Sequence, residues 1–461
     1  MSPRHVFHPT LLREYDIRGI VGETLHEVDA MALGRAFGTR VIENGGTSVA
    51  IGRDGRHSSP TMEQALAEGL VSTGLTVHRV GSCPSPGLYF AVHHLEAGGG
   101  VMVTGSHNPP DYNGFKMMMG TGTFFGDDIQ KVGALAATGA FAQGTGRIVD
   151  ETVLDAYVAR LHESGQFGRP LNVVWDCGNG AAGPAVEKLC RALPGDHEIL
   201  FLEVDGDFPN HHPDPTVPDN LTDLIRSVAE RNADLGIALD GDGDRIGVID
   251  DKGRILWGDQ LLAILAEDVL TKYPGATIIA DVKASQTLFN RISELGGNPM
   301  MWRTGHSLIK KKMAETGAPL AGEMSGHIFF KDRYLGFDDA LYAGVRLIET
   351  LSNRDQPLSA IRDQLPQMLS TPELRFPCSE ERKFAAVQDV KSILSSFENI
   401  TVIDVDGVRV NSIDGWWLLR ASNTQDVLVA RCESSSVEGL ARLKAELARA
   451  VRRIGVEPPD F

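Results

Sequence analysis

The loop Asp240-Gly-Asp-Gly-Asp-Arg245 carries three carboxylates at alternate positions, separated by glycines. In a turn broken by glycine such carboxylates can converge on one cation, and hard oxygen ligands suit Mg²⁺ or Ca²⁺. An EF-hand is disfavoured, although Asp251 completes its acidic spacing, because Arg245 stands where that loop needs glycine and the flanking runs predict strands. We expect Asp240, Asp242 and Asp244 to bind a divalent cation, with an acidic turn of solvated charges as the alternative.

A second loop, TGSHNPPDYNGFK from Thr104 to Lys116, places a serine hydroxyl between a glycine and a histidine. Gly105 removes a side chain beside Ser106, and the Pro-Pro pair stiffens the exit of the loop. Ser106 and His107 do not make a nucleophilic triad, because adjacent side chains need not meet and no G-x-S-x-G elbow is present. We expect Ser106 to carry a phosphoryl group, with a rigid surface turn as the alternative.

The two loops together create an excess of negative charge. A phosphoserine adds about −1.5 to −2, the three aspartates add three more, and a divalent cation returns two, so roughly −3 remains. Arg245, Lys116 and His107 lie on the same two loops and can supply balancing positive charge. We therefore expect these three side chains beside the phosphoserine.

The run Gly178-Asn-Gly-Ala-Ala-Gly183 matches the dinucleotide-binding pattern G-x-G-x-x-G, with Glu203 or Asp205 about twenty residues further on. The acidic residues, however, continue into Gly-Asp-Phe-Pro-Asn-His-His-Pro, which indicates a rigid loop. Glycines that pack a helix against a strand are the simpler explanation, so a dehydrogenase is the less favoured hypothesis.

Two further loops carry groups suited to recognition. Glu323, Ser325 and His327 alternate along GEMSGH and would share one face of an extended segment, as recognition of sugar hydroxyls would need; an ordinary hairpin end is the alternative. The run RASNT from Arg420 to Thr424 offers a guanidinium, two hydroxyls and successive backbone N–H groups, which together suit a phosphate.

The elements that must position these loops repeat along the chain. Three apolar strand patterns each precede a helical pattern, and in each segment a later pair of apolar runs flanks one of the loops rich in polar residues and glycine. We interpret this as a degenerate repeat of α/β units that present their loops at strand ends. The predicted strands span residues 48–52, 171–175 and 276–280, and the predicted helices span 60–73, 184–192 and 285–295.

The last part of the chain has a different pattern. Residues 366–377 contain three prolines and predict a linker. Beyond it the sequence predicts a small α+β domain, so four domains fit better than the three that the length alone suggests. Its predicted helices span residues 384–397 and 437–454, and its predicted strands span 400–404, 407–411, 416–420 and 427–433.

Composition bounds the class of protein. The chain has 461 residues, 42% of them apolar, and a formal charge of −17, which together exclude a disordered chain and argue against a broad surface for nucleic acid or anionic membranes. Five scattered cysteines without a C-x-x-C pair predict reduced thiols, and we see no secretory signal or membrane-spanning run. We expect a cytoplasmic protein with neither a nucleic-acid nor a membrane partner.

Taken together, the motifs resemble those of the α-D-phosphohexomutase family, and most closely its bacterial phosphomannomutase/phosphoglucomutase branch. YDIRG, TGSHNPPDYNGFK, DCGNGAAG, DGDGDR, GEMSGH and RASNT occur in the order of that family between residues 15 and 424. The resemblance implies three similar mixed-sheet α/β domains and a smaller C-terminal α+β domain around a central cleft. The expected boundaries are 1–151 for the phosphoserine domain, 152–254 for the metal domain, 255–366 for the sugar-recognition domain and 367–461 for the phosphate-binding domain.

The resemblance also assigns roles to residues. It implies a phosphorylated Ser106 that holds one Mg²⁺ per chain together with Asp240, Asp242 and Asp244. It makes Arg245, Lys116 and His107 the groups that stabilise the transferring phosphoryl, and Lys116 or His306 the proton shuttle. Glu323 and Ser325 would bind the 3- and 4-hydroxyls of the sugar. The remaining phosphate would be held by Arg420, Ser422, Asn423 and Thr424, with Tyr15, Arg18, Lys283 and His327 around the rim.

The implied reaction is the interconversion of hexose 1-phosphate and hexose 6-phosphate, where the hexose is mannose, glucose or both. It would pass through a phosphoserine enzyme and glucose 1,6-bisphosphate or mannose 1,6-bisphosphate, with the protein acting as a monomer. A metal-dependent sugar phosphatase and a non-catalytic sugar-phosphate sensor are the alternatives. One departure from the family is that Gln425-Asp426 follows RASNT where Glu-Pro is usual, which predicts a more mobile phosphate loop.

Overall fold

The structure is a computed structural model that describes residues 4–394, 399–423 and 425–458. Four β-sheets follow one another along the chain, of seven, five, four and six strands. In the described residues no helix combines the length and apolar character needed to cross a lipid bilayer.

The first sheet has the strand order β1-β5-β4-β2-β3-β7, with β6 paired to β5. Strands β2, β3, β4 and β7 run parallel, whereas β5 is antiparallel to both β1 and β4. In chain order the elements are β1 (Ile17–Ile20), α1 (Glu27–Glu43), β2 (Ser48–Arg53), α2 (Ser59–Val71), β3 (Thr76–Ser82), α3 (Ser85–His94), β4 (Gly99–Val103), β5 (Tyr112–Met119), β6 (Gly122–Thr123), α4 (Asp127–Thr138) and β7 (Arg147–Asp150).

The second sheet has the order β12-β11-β10-β8-β9 and the third the order β14-β13-β15-β16. The second comprises α5 (Leu154–Glu163), β8 (Leu171–Asp176), α6 (Gly183–Ala192), β9 (Gly195–Leu200), a 3₁₀ helix (Pro218–Leu221), α7 (Thr222–Arg231), β10 (Leu235–Leu239), β11 (Ile246–Asp250) and β12 (Ile255–Leu256). The third comprises α8 (Gly258–Lys272), β13 (Thr277–Asp281), α9 (Gln286–Glu294), β14 (Asn298–Trp302), α10 (His306–Thr316), β15 (Leu320–Gly322), β16 (Ile328–Phe330), α11 (Ala340–Ser352) and α12 (Leu358–Arg362).

The predicted repeat is confirmed, because the same arrangement of a strand hairpin beside parallel strands recurs in these three sheets. Each contains an antiparallel hairpin of consecutive strands that follows parallel strands: β4 with β5, β10 with β11, and β15 with β16. The loops that join these pairs contain, in order, Ser106, the three aspartates Asp240, Asp242 and Asp244, and Glu323. The fold therefore presents three hairpin loops, one from each sheet.

The fourth sheet is antiparallel, with the order β17-β22-β21-β20-β19 and β18 paired to β22. The predicted linker is wrong in part, because two segments of it form strands of this sheet. Of its three prolines, Pro366 and Pro372 lie outside these strands, and Pro377 is the last residue of the second. The predicted helix 384–397 begins earlier, and its last three residues lie outside the described residues. The elements are β17 (Leu369–Ser370), β18 (Leu374–Pro377), α13 (Glu380–Leu394), β19 (Thr401–Ile403), β20 (Val408–Ser412), β21 (Gly415–Ala421), β22 (Val427–Ser434) and α14 (Val437–Arg453).

The second and third sheets share one apolar core, which also takes in α3 of the first. Helix α11 is buried along its whole length, and a Cβ on Gly344 would lie 3.0 Å from the Trp175 ring. The fourth sheet has a core of its own and meets the third through a small cluster of Val282, Trp416 and Leu418. The first three sheets thus form a joined base, to which the fourth is attached by a smaller contact.

Asp339 caps α11 inside this shared core. Its carboxylate accepts hydrogen bonds from the Tyr342 N–H at 2.9 Å and from the hydroxyls of Tyr334 and Tyr157 at 2.6 and 3.0 Å. Burial raises the pKa of Asp339 from 3.8 to about 7, and the hydrogen bonds counteract it only in part. Because the pKa is higher in the folded state, the contribution to stability is complete below about pH 4 and is lost as the pH rises towards 7.

We expect the free energy of unfolding of the wild type, measured relative to Asp339→Asn, to fall by about 4 kcal/mol between pH 4 and pH 8. Urea unfolding of both proteins across this range measures the difference, and the comparison cancels other titrating groups. A difference that does not vary with pH would contradict the assignment.

Candidate active site

The hairpin loops of the first two sheets meet at Ser106. Its hydroxyl donates to Asp240 Oδ2 at 3.1 Å, and the Nδ1 atom of His107 lies 3.1 Å from the same Oγ. Ser106 is 2% exposed and has a left-handed φ of +51°, a conformation that side-chain-bearing residues adopt only when their surroundings hold them there. The structure therefore brings the predicted phosphoserine directly against the predicted metal loop.

Asp240, Asp242 and Asp244 are completely buried, and their carboxylates lie close enough together to bind one metal ion. Asp240 Oδ1 accepts the backbone N–H groups of Asp244 and Arg245, which closes the turn. Asp242 Oδ1 and Asp244 Oδ1 have no hydrogen-bond partner in the described part of the chain, although both atoms are buried. Unpaired, buried carboxylate oxygens are unfavourable unless a cation satisfies them, so the donor set fits Mg²⁺.

Lys116, on β5, reaches into the same cluster. Its ammonium donates to Asp242 Oδ2 at 2.7 Å and to Asp244 Oδ2 at 2.5 Å. Burial disfavours the charged amine, but the two carboxylates outweigh it and hold the pKa of Lys116 well above its usual value. Lys116 therefore keeps its positive charge, which suits stabilisation of a phosphoryl group better than acceptance of a proton.

The hairpin loop of the third sheet completes the floor of the cleft. Two hydrogen bonds join it to the metal loop. The Ile246 N–H donates to the Gly326 carbonyl, and Arg245 Nε donates to His327 Nε2 at 3.1 Å. The rings of His327 and His306 stack with centroids 5.6 Å apart. His327 is 4% exposed, so it lies deeper than the rim position expected from the sequence.

Two histidines in this floor are held neutral. Burial, reinforced by the charge of Lys310, keeps the pKa of His306 well below its usual value, and burial together with Arg245 does the same for His107. Asp338 lies beneath the stacked pair, with Oδ2 3.5 Å from His306 Nδ1 and 3.3 Å from His327 Nδ1. Sequence reasoning missed Asp338, whose only signal is an acidic pair directly before an apolar helix.

The loop GEMSGH forms a tight turn rather than an extended strand. Glu323 N–H donates to the His327 carbonyl, and Gly326 N–H donates to the Glu323 carbonyl, so the expected alternation on one face is wrong. A strand was predicted because polar residues alternate, but the left-handed Gly326 closes the turn instead. Glu323 is buried and accepts the Gly305 N–H at 2.7 Å, whereas Ser325 is half-buried.

The fourth sheet brings the loop RASNT over the cleft. Asn423 Nδ2 donates to the Tyr15 hydroxyl, which itself donates to the Thr304 carbonyl at 2.8 Å. Arg420 Nε donates to Asp406 Oδ2 at 3.0 Å, and that same oxygen accepts the Thr304 N–H. Residues of the first, third and fourth domains thus meet at this rim, and Asp406 is a member that the sequence did not reveal.

The other predicted rim and phosphate residues divide between several partners. Arg18 donates to Asp16 and to Asn108 Oδ1, while Lys283 pairs with Glu373 at 3.0 Å. Ser422 Oγ accepts the Gln425 N–H, and Thr424 lies outside the described residues. At the departure from the family pattern, the Gln425 side chain accepts a hydrogen bond from Arg375 at 2.9 Å.

The glycine-rich run DCGNGAAG supports the metal loop. A Cβ on Gly180 would lie 2.8 Å from the Gly241 carbonyl, and one on Gly183 would lie 2.1 Å from the Leu202 carbonyl. Ala181 N–H also donates to the Gly241 carbonyl at 2.9 Å. The glycines therefore permit close packing between backbones, as the simpler explanation of this motif predicted.

Comparison with known proteins gives consistent matches over the whole chain. Four family models match in order: phosphoglucomutase/phosphomannomutase alpha/beta/alpha domain I at residues 9–143, domain II at 155–253, domain III at 257–369 and the C-terminal domain at 373–450. A phosphomannomutase/phosphoglucomutase of Pseudomonas aeruginosa is 46% identical over 451 residues, covering 98% of this chain and 97% of the relative.

Two further matches agree. A phosphoglucomutase of Neisseria gonorrhoeae is 45% identical over 437 residues, covering 94% of this chain and 95% of the relative. A crystal structure of a phosphoglucomutase/phosphomannomutase family protein from Burkholderia thailandensis superposes with a TM-score of 0.94 at 43% identity, covering 99% of this chain and all of that one.

Proposed function

The chain belongs to the phosphoglucomutase/phosphomannomutase family and is a hexose phosphate mutase, and we propose that it transfers the phosphoryl group through Ser106. The observation that carries this proposal is the position of the Ser106 hydroxyl, buried 3.1 Å from Asp240 in a cluster that also holds Lys116. A phosphoserine there would be surrounded by the groups that phosphoryl transfer needs.

The proposed reaction has two transfers. In the first, a hydroxyl of a hexose monophosphate attacks the phosphoserine, the bond between phosphorus and Ser106 Oγ breaks, and the hydroxyl proton passes to a neutral imidazole. His306 is the candidate acceptor, since Lys116 keeps its charge and His327 Nε2 already accepts a hydrogen bond from Arg245. In the second, Ser106 Oγ attacks the other phosphoryl group of the resulting glucose or mannose 1,6-bisphosphate, and the bond between that phosphorus and its sugar oxygen breaks. The sugar oxygen takes the proton back from the imidazolium, and Ser106 is phosphorylated again.

Positive charge and a divalent ion support both transfers. We propose that one Mg²⁺ per chain binds Asp240, Asp242, Asp244 and the Ser106 phosphate, where it would neutralise charge on the transferring phosphoryl group. Arg245 and Lys116 would supply positive charge from the same two loops, whereas His107, expected from the sequence to be a third cation, is held neutral and would act only as a hydrogen-bonding group. Their arrangement supports a transfer in a site from which water is excluded.

The third and fourth domains carry most of the residues that we assign to recognition of the sugar phosphate. We propose that Glu323 and Ser325 bind sugar hydroxyls, and that Arg420, Ser422, Asn423 and Thr424 hold the phosphate that is not being transferred, with Tyr15, Arg18 and Lys283 near them. The contact of Asn423 with Tyr15 supports this, because it joins the loop of the fourth sheet to a residue of the first domain. A phosphate-binding site separate from Ser106 could bind either phosphate of the bisphosphate while the other one reacts.

The boundaries 1–151, 152–254, 255–366 and 367–461 remain our proposal for the four domains. Each range contains one of the four sheets, except that β12 (Ile255–Leu256) of the second sheet lies just beyond residue 254. We propose a monomer as the catalytic unit. The described cysteines are free thiols, in keeping with a cytoplasmic enzyme.

We expect turnover with both glucose 1-phosphate and mannose 1-phosphate in a coupled assay of hexose 6-phosphate, started with a trace of glucose 1,6-bisphosphate. Glucosamine 1-phosphate should be a much poorer substrate, since Met324 stands where glucosamine relatives usually carry Gln. Release of inorganic phosphate without hexose 6-phosphate would instead indicate a phosphatase. Saturable binding without either product would indicate a sensor.

A further inference from the structure

Arg56 lies buried beneath the phosphoserine loop, with 1% of its side chain exposed. A guanidinium has five N–H bonds, and here each one has an acceptor. Nε donates to Asp54 Oδ2 at 3.2 Å, and the two terminal nitrogens donate to four backbone carbonyls. These carbonyls belong to Ser106, Asn108, Pro109 and Tyr112, at 2.8, 2.6, 2.5 and 3.0 Å.

The sequence of the loop is matched to this arrangement. The carbonyls of Asn108 and Pro109 belong to peptide units whose nitrogens are those of Pro109 and Pro110, which carry no hydrogen. Turning these carbonyls towards Arg56 therefore leaves no amide hydrogen to be satisfied on the opposite side of the loop. The two prolines allow one side chain to hold most of the loop.

A second residue holds the start of the same loop. Asp54 Oδ2 accepts the Gly105 N–H at 3.0 Å, while Asp54 Oδ1 accepts the N–H of Arg56 and the hydroxyl of Ser59. The loop lies so close to Arg56 that a Cβ on Gly105 would be 2.4 Å from its Nε. From the other side, the second domain packs the Phe208 ring 5.2 Å from the guanidinium carbon.

We propose that Arg56 is a positioning residue for phosphoryl transfer: by binding four loop carbonyls it fixes the left-handed conformation of Ser106 and hence the site of its phosphate. The inference rests on the proposed function, in which the same serine must donate and then recover a phosphoryl group. Both transfers need in-line geometry, and a displacement of about 1 Å can lower a rate by 10²-fold. Arg56 does not touch the reacting atoms and acts through the backbone of residues 106–112.

Arg56→Lys tests the role, because lysine keeps the charge but offers only three donors on a flexible stem. We expect kcat to fall roughly 100-fold while KM for glucose 1-phosphate stays within about threefold. We also expect phosphate release per turnover to rise about tenfold, because a loose loop admits water. In that side reaction a water oxygen attacks phosphorus, the P–Oγ bond breaks, Ser106 Oγ takes a water proton, and inorganic phosphate leaves.

Arg346→Lys is the matched control. Arg346 is equally buried, in the third domain, and its guanidinium donates to the Asp332 carbonyl and the Tyr342 hydroxyl. It should lower the unfolding midpoint but leave kcat and the phosphate release per turnover as in the wild type. Should Arg56→Lys fail to fold, Gly105→Ala displaces the same guanidinium from the loop side and is expected to give the same two changes.

Wild-type kcat and phosphate release in a folded Arg56→Lys protein would overturn the inference, as would an equal fall of kcat in Arg346→Lys. The proposed function fails separately, if the wild type itself exchanges no phosphate between the 1- and 6-positions. Incorporation of phosphate from labelled glucose 1,6-bisphosphate into Ser106 reports on that point in every variant.

Discussion

Ser106→Ala is expected to lower kcat by roughly 10⁴-fold or more, because it removes the hydroxyl that receives and returns the phosphoryl group in the proposed reaction. The Ser106 hydroxyl is buried against Asp240, and the loop that carries it is held in a left-handed conformation. A coupled assay of hexose 6-phosphate measures the loss, and calorimetric titration with glucose 1-phosphate should show that binding survives.

Ser85→Ala is the control for this substitution. The Ser85 hydroxyl is also buried and donates to the same aspartate cluster, at Asp242 Oδ2, but it lies at the start of α3 and carries no phosphoryl group in the proposed reaction. We expect its kcat to fall by about tenfold at most, the effect of one lost hydrogen bond. Turnover by Ser106→Ala at the level of Ser85→Ala would refute the phosphoserine.

Removal of the divalent ion is expected to have the second largest effect. With EDTA, turnover should fall by at least roughly 10³-fold, and it should return on addition of Mg²⁺. The reason is that an ion bound to the transferring phosphoryl group would lower the energy of the transition state by several kcal/mol. Binding can also be measured without turnover. Mg²⁺ at about 100 times its Kd should stabilise the folded protein by about 2.7 kcal/mol and raise its unfolding midpoint by several degrees.

Two variants make the metal experiment specific. Asp242→Asn replaces a carboxylate that has one buried oxygen without a hydrogen-bond partner among the described residues. It should abolish the increase of the unfolding midpoint on addition of Mg²⁺. Asp251→Asn changes the carboxylate at the last EF-hand position, which instead accepts hydrogen bonds from the backbone and hydroxyl of Ser359. That increase should survive in Asp251→Asn, and full activity of the wild type in EDTA would refute the three-aspartate site.

The sequence predicted the reacting loops well, because their residues are local. Asp240, Asp242 and Asp244 follow one strand within five positions, and Ser106 and Lys116 flank one hairpin. Spacing along such a segment decides which atoms can meet, so the carboxylate cluster could be predicted before any fold was known.

What escaped prediction depends on contacts between distant segments. Asp338 reaches His306 from 32 positions away, Asp406 joins Thr304 to Arg420, and Glu373 pairs with Lys283 from within the presumed linker. Nothing local marks these carboxylates, since an acid after a strand or beside a proline is common at a protein surface. Only the packing of one domain against another makes them part of the cleft.

Two local sequence patterns also predicted the wrong backbone structure, one in the GEMSGH loop and one in residues 366–377. The alternation in GEMSGH suited an extended face, but the positive φ of Gly326 and the short strands around it favour a turn. In residues 366–377, proline density suggested an unpaired connection, yet β18 pairs with β22. An edge strand tolerates proline because one side of it needs no partner.

The core shared by the second and third sheets has a consequence for cooperativity. The metal loop and the sugar loop extend from two sheets that have one apolar interior between them, so a substitution that loosens this interior weakens both loops at once. The fourth sheet has its own interior, and damage there leaves the other three loops in place. The loops of the second and third sheets on one side, and the loop of the fourth sheet on the other, therefore belong to separate units of local unfolding, and each unit can lose stability without the other.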